Sequence, residues 1–413
     1  MKELALYLGD APLGKVRVES VRGREVFSFA YDEAWLASGK VPTIDPDVVA
    51  STGEQFPAGK EVFGFLADIA PDRWGRRLVR RREAQLAKRE KRPERTLLSS
   101  DFIVGAYDLT RTGAVRVMAD GRFVSSDSAK PAPPWTTLRT LEECARRIDA
   151  GEDARDSRWI DALLAPGSSL GGARPKANVT DEKGALWIAK FPSAKDEWDV
   201  GAWERLVGRL AQKAGLRVPE TGMERFSKAG GTFFSRRFDR EGGRRIHYAS
   251  AMTMSGAVDG EEGRSYLDIA EFLVREGANP DADLAELWSR VVFSRLIGNS
   301  DDHLRNHGYV LVDGGWRLAP MFDVNPNPDA EFAALDVTPG TAGASRDELI
   351  GCAEYFRLET SMAERRYSEI AAVVRGWRSL AKEMNLRRAE IERMATCFLR
   401  ERYSPSWPDV AGM

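Results

Sequence analysis

Apolar residues recur at every second position near the start of the chain. Leu4, Leu6 and Leu8 alternate with polar or small residues. Val16 and Val18 alternate after the punctuation of Gly9-Asp10 and Gly14, and Phe27, Phe29 and Tyr31 continue the pattern. A period of two predicts strands with one buried face, joined here as hairpins. The period changes near Pro71, where Trp74, Leu78 and Leu86 fall near one helical face and predict a helix over 71–91. Pro71 suits its first turn. Residues 102–118 read as strand, with Gly105 and Gly113 as turns, and the polar, proline-rich stretch 119–136 reads as a linker. Helical patterns follow over 137–150 and 157–165, then a Gly/Ser segment at 167–173, then strand-like runs at 175–181 and 185–191. Residues 199–214 predict an amphipathic helix with Trp203, Leu206, Val207 and Leu210 on one stripe. From about 249 onward the spacing is mostly helical, with clear segments at 267–276, 283–299 and 361–383. No internal repeat of 20–50 residues is visible.

This order divides the chain into a β-rich subdomain at 1–118, a linker at 119–136, a mixed small lobe at 137–236 and a helical lobe at 237–413. The expected class is α+β, with the two-lobed arrangement that a nucleotide-binding enzyme shows. Composition agrees with a packed protein: 413 residues, 43% hydrophobic and 30% charged. The net charge of −2 points to no polyanion or membrane partner for the chain as a whole. Cys144, Cys352 and Cys397 are too scattered for a disulfide framework or a zinc site, which fits a reducing, cytoplasmic setting. The first residues lack the long apolar run of a signal peptide, and no stretch is apolar enough to suggest a membrane span. His303 and His307 lie four apart without the glutamate or third ligand of a zinc protease.

The richest chemistry lies in Gly298-Asn299-Ser300-Asp301-Asp302-His303-Leu304-Arg305-Asn306-His307, between an amphipathic helix and the strand 308–312. Phosphoryl transfer needs a carboxylate to take or orient the proton of the attacking hydroxyl. It also needs oxygen ligands that hold Mg²⁺ against the phosphates. Asp301 and Asn306 have the Asp-x-x-x-x-Asn spacing of a kinase catalytic loop, although capping residues in an ordinary loop give the same pattern. Asp323 follows seventeen residues later, beyond a strand, the Gly314-Gly315 turn and a second strand, so a hairpin returns it toward Asn306. Lys190 ends the apolar run Trp187-Ile188-Ala189, and the next helix carries Glu204, the order of a kinase strand lysine and its helix glutamate. The loop from Gly167 through Gly171, Gly172, Ala173 and Arg174 to Lys176 precedes that lysine strand and offers backbone amides to phosphate. It matches neither Walker A nor Gly-x-Gly-x-x-Gly, and a flexible connector would look the same. Arg236, Arg237 and Phe238 mark the crossing between the two lobes, where a charged surface turn is the plainer reading.

Together these segments resemble the HipA-type serine/threonine kinases, the toxin halves of bacterial toxin–antitoxin pairs. The resemblance rests on Ser168 to Lys176, Ile188 to Phe191, Arg237 to Arg240, Asn299 to Asn306 and Ala319 to Asp323, with Leu6 to Val16 and Gly113 to Val117 resembling the N-terminal domain. It implies a bilobal protein-kinase-like fold. It also implies ATP and Mg²⁺ as cofactors, with Asp301 as general base beside His303, and Asn306 and Asp323 as metal ligands. Lys190 would contact the ATP phosphates, with Glu204 as its helix partner. Gly171, Gly172, Ala173, Arg174 and Lys176 would lie by the phosphates, Arg236, Arg237 and Phe238 by the adenine, and His303 and Phe322 along the nucleotide. Ser169 falls where such kinases carry an autophosphorylated serine, and Ser168 competes with it. Asp302 departs from the simple pattern by setting a second acid beside the base.

The implied partners are a small helix-turn-helix antitoxin, which would carry DNA recognition, and a protein substrate in the translation machinery such as an aminoacyl-tRNA synthetase. Residues 73–95 hold eleven Lys or Arg against three Glu. Clustered around an apolar stripe, these cations read as the solvated face of a helix, with direct duplex binding as the alternative. Two other functions stay open on the residues alone: a nucleic-acid-associated regulator using this basic run, and a small-molecule phosphotransferase sharing the Asp301, Asn306 and Asp323 chemistry.

Overall fold

The computed structural model describes residues 2–39, 41–124, 132–152, 163, 172–329, 333–341 and 345–399. The chain forms two compact units: residues 1–196 with 224–258, and residues 197–223 with 259–413. The helix Val200–Lys213, which carries Glu204, therefore belongs to the second unit.

The first unit opens with the expected antiparallel strands, β1 (Lys2–Leu8), β2 (Ala11–Val21) and β3 (Arg24–Tyr31). They join β4 (Val115–Ala119) and β5 (Arg122–Phe123) in a sheet of order β3-β2-β1-β4-β5. Alternation buries Leu4, Leu6, Val16, Val18, Phe27 and Phe29 on one face, where Phe63 and Phe65 cover them. Two expectations fail here. The stretch 102–118 is not continuous strand: Ser99–Gly105 is helical, and Asp101 accepts from the Leu98 backbone amide at its N-terminus. Nor is 119–136 linker throughout, since Arg122–Phe123 pairs back onto β4. Local alternation did not distinguish a short helix whose Phe102 and Ile103 are buried from a buried strand.

The expected basic helix spans Arg73–Glu90, with Asp72 accepting from the Gly75 amide as its N-cap. Its apolar side, including Trp74 and Leu78, packs with Leu138, Leu141 and Ile148 of helix Leu138–Asp149 and with the second sheet. That sheet contains β6 (Lys176–Thr180), β7 (Leu186–Lys190), β8 (Thr221–Ser227) and β9 (Gly230–Arg236) in the order β6-β7-β9-β8. The 157–165 helix and the loop serines Ser168 and Ser169, with Gly171, lie outside the described residues, except for position 163.

The second unit is mostly helical. Its centre is the helix Pro280–Ile297, buried almost all round from Leu284 onward, with Asn279 as N-cap and a proline in the first turn. Helix Thr360–Arg375 packs along it. The single helix expected over 361–383 is two, separated at Gly376. Trp203 on Val200–Lys213 lies 6.0 Å from Trp377, which stacks on Phe398 at 4.3 Å. Among the described residues, no helix is long and apolar enough to cross a membrane.

Candidate active site

The loop bearing Asp301 begins where the central helix must stop. Gly298 caps that helix at φ +69°, and a Cβ there would stand 2.8 Å from the Cys397 carbonyl oxygen. Both the left-handed backbone and the close approach require glycine. The chain then runs through Asn299 to His307 into a hairpin of β10 (Gly308–Val312) and β11 (Gly315–Leu318), in register Tyr309 opposite Leu318. The Ala319 amide donates to Gly308 O at 2.8 Å, so Asn306 and Asp323 leave from the same open end of the hairpin. Two more backbone bonds close the arrangement: Asn327 N to Gly298 O at 3.1 Å, and Ala334 N to Ser300 O at 2.8 Å. The segments on either side of Asp301 and Asp323 are thus stitched together within one unit.

Asp301 is exposed. Its carbonyl oxygen accepts from Asn306 Nδ2 at 2.8 Å, and Asn306 N donates to His303 O at 2.8 Å, so Asn306 folds the loop into a single turn. Asp323 is half-buried and holds φ +57°. Aspartate tolerates this region better than most side chains, but the conformation still costs about 1 kcal/mol and persists only where surroundings impose it. His303 is half-buried, and its Nδ1 is buried without a hydrogen-bond partner.

Asp302 is the feature sequence reasoning left unexplained. It is 1% exposed and accepts three side-chain hydrogen bonds: from Tyr266 Oη at 2.5 Å, Ser294 Oγ at 2.9 Å and His307 Nε2 at 2.8 Å. Burial pushes its pKa up, but His307 and the hydroxyl donors outweigh that and hold the carboxyl well below the ordinary carboxylate range. Neither Tyr266 nor Ser294 carried any motif signal, because each meets the loop only through the tertiary fold.

In the first unit, Lys190 ends β7 opposite Lys176 on one side and Phe233 on the other, with Nζ 5.7 Å from the Phe233 ring centre. Lys176 itself is buried, and its Nζ pairs with Asp72 Oδ2 at 2.8 Å. Arg174 forms a bidentate pair with Asp196 at 2.6 and 2.8 Å. Arg237 is fully engaged: its five N–H donors reach Asp239 twice, Thr110 O, Asn178 Oδ1 and Arg111 O. Every N–H of Arg237 is thus taken by an internal acceptor, so a place beside an adenine would rest on packing and not on a hydrogen bond. Arg236 is exposed, and Phe238 packs 5.9 Å from Tyr248. In the second unit Glu204 is 5% exposed, and Phe322 is half-buried next to Asp323.

The basic run is not simply a solvated face. Arg77 and Arg81 donate to Ile148 O, and Arg77 also reaches Asp149, at the C-terminal end of helix Leu138–Asp149, where a cation is favourable. Arg76 and Arg80 lie about the Phe102 ring at 5.0 and 5.1 Å. Arg92 and Arg95 converge on Glu83, holding its carboxyl down at about 2, chiefly through the Arg92 hydrogen bond.

Two family models match the chain: the HipA N-terminal domain over residues 4–99 and the HipA-like C-terminal domain over residues 168–391. The chain belongs to the HipA family. Among curated relatives, a putative kinase of Haemophilus influenzae is 27% identical over 42% of this chain and 57% of its own length. The putative kinase Y4dM of Sinorhizobium fredii is 24% identical over 79% of each chain. Another from that organism, Y4mE, is 30% identical over 33% of each. The chain thus spans 57% and 33% of two of these relatives. Among solved structures, HipA of Shewanella oneidensis MR-1, determined with HipB and operator DNA, matches with TM-score 0.67 and 17% identity over 95% of this chain and 94% of that one. This likeness establishes a HipA-like α+β fold.

Among the described residues, no cluster of three or more His, Cys, Asp or Glu side chains is placed to hold a metal. The pair Asn306 and Asp323 offers hard oxygen donors, which suits a Mg²⁺ ion that takes the rest of its shell from phosphate and water.

Proposed function

We propose that this chain is an ATP- and Mg²⁺-dependent protein serine/threonine kinase of the HipA type. The observation that carries the reading is the turn Asp301–Asn306, whose entry at residues 298 and 300 is held by backbone hydrogen bonds to the segment that follows Asp323. Asp301, exposed at the head of the loop, would accept the proton of the attacking hydroxyl. Asn306 and Asp323 would hold Mg²⁺. Bound there, the ion would neutralise phosphate charge and align the transferring group. Lys190 as a phosphate contact and Glu204 as its partner rest on the family resemblance alone.

The finer features are part of the same proposal. Autophosphorylation would fall on Ser169 or Ser168. The chain would act as a growth-arresting toxin in the cytoplasm, restrained by a small helix-turn-helix antitoxin. The Shewanella HipA was determined with HipB and operator DNA, which supports such a partner and a DNA role through it.

The test is transfer of label from γ-³²P-ATP to the purified chain and to serine/threonine proteins, with and without Mg²⁺. Asp301→Asn is isosteric and removes the proton acceptor. Loss of a general base lowers the rate roughly 10²–10⁴-fold. Transfer at the wild-type rate by Asp301→Asn, or in excess EDTA, would refute the assignment.

A further inference from the structure

Two acids stand side by side in the loop, and the fold treats them in opposite ways. Asp301 faces solvent, while Asp302 is buried and takes donors from three separate elements. Tyr266 is the first residue of helix Tyr266–Glu276, Ser294 lies in the last turns of helix Pro280–Ile297, and His307 closes the loop just before strand Gly308–Val312. Asp302 is covalently joined to Asp301, so an anchored side chain at 302 restrains the backbone that carries the carboxyl of 301.

We infer that Asp302, held by Tyr266, Ser294 and His307, is the positioning residue that aims Asp301. The inference rests on the kinase reading only for the chemistry that Asp301 performs. The anchoring itself is independent of that reading.

A carboxylate is needed here because every partner donates. Tyr266 and Ser294 present O–H groups, and an ionised Asp302 makes His307 Nε2 the protonated nitrogen of its ring. A carboxylate accepts from all three at once. An asparagine would turn an N–H₂ toward at least one donor and leave that group buried and unpaired. Asn306 then secures the other side of residue 301 through its carbonyl oxygen. The backbone around Asp301 is thus held from both flanks.

The test uses the full chain in five forms: wild type, Tyr266→Phe, Ser294→Ala, Ser294→Thr and Asp302→Asn. The first measurement is amide hydrogen exchange over 299–307. Tyr266→Phe and Ser294→Ala each remove one donor, and each should speed exchange in this segment at least tenfold while peptides from helix Thr360–Arg375 stay unchanged. The second is label transfer from ATP at saturating Mg²⁺, read as kcat and KM for ATP. A positioning role predicts a tenfold or greater fall in kcat with KM within twofold of wild type. A general loss of folding would instead speed exchange everywhere. Ser294→Thr, which restores a hydroxyl, should recover most of the rate.

Unchanged exchange over 299–307 in both single-donor variants overturns the anchoring, whatever the activity. Loosened exchange with wild-type kcat overturns the positioning role. If the wild type transfers no label, the kinase reading falls, and the exchange measurement alone decides whether Asp302 anchors the loop.

Discussion

At the scale of single residues, Asp323 shows how conformation and chemistry separate. Its φ of +57° is one that glycine adopts freely. Asp323→Gly should therefore relieve up to about 1 kcal/mol of backbone strain. It should also lose Mg²⁺-dependent ATP binding, because its metal ligand is gone. Thermal unfolding and nucleotide titration with and without Mg²⁺ give the two halves. Binding as tight as wild type would remove Asp323 from the ligand set. Asp301, Asn306 and Asp323 were legible as candidates because their spacing is local. Asp302 was visible only as an oddity, since its partners come from residues 266, 294 and 307.

At the scale of elements, one carboxylate joins a helix to a strand. Asp72 caps helix Arg73–Glu90 through Oδ1 and pairs with buried Lys176, the first residue of β6, through Oδ2. Trp74 adds a hydrogen bond from its indole to Lys176 O at 3.0 Å. Removing Asp72 with alanine loses a cap worth roughly 1 kcal/mol and takes away the carboxylate that pairs with a buried ammonium. A broken buried pair costs about 3–5 kcal/mol. Lys176→Met together with Asp72→Asn should recover much of that loss, because the cap remains and no charge is left unpaired. Denaturant midpoints of the two variants check this ordering. If Asp72→Ala is as stable as wild type, the ion pair does not hold this junction. Lys176 looked like a phosphate ligand in sequence because it follows a glycine-rich loop. Its actual partner lies 104 positions earlier, beyond any local pattern.

At the scale of the whole molecule, acidic groups buried in the first unit tie stability to pH. Asp45 is fully buried, and burial raises its pKa to about 6, even though it accepts from the Asp47 and Phe65 amides. The folded state therefore binds this proton more tightly than the unfolded state. The contribution is full below about pH 4 and is lost as pH rises through about 6. The loss is at most about 3 kcal/mol for a shift of about two units. Asp45→Asn should remove that slope, so the stability difference between wild type and variant should change between pH 4 and 6 and stay flat above 7. A constant difference across that range would show that Asp45 keeps an ordinary pKa.

The opening β-hairpins, the helix over 200–213, the 308–318 hairpin and the Asp301–Asn306–Asp323 spacing were set by the sequence itself. Each depends on residues close together in the chain, through side-chain periodicity, turn glycines and fixed offsets. Tertiary structure decided the remainder. It gave Arg237 five internal acceptors, Lys176 an aspartate and Asp302 three donors, and it turned the basic run onto a helix end and an aromatic ring. A charged side chain is placed by whatever opposite charge or hydrogen-bond partner the fold brings within reach, and that partner is distant in sequence.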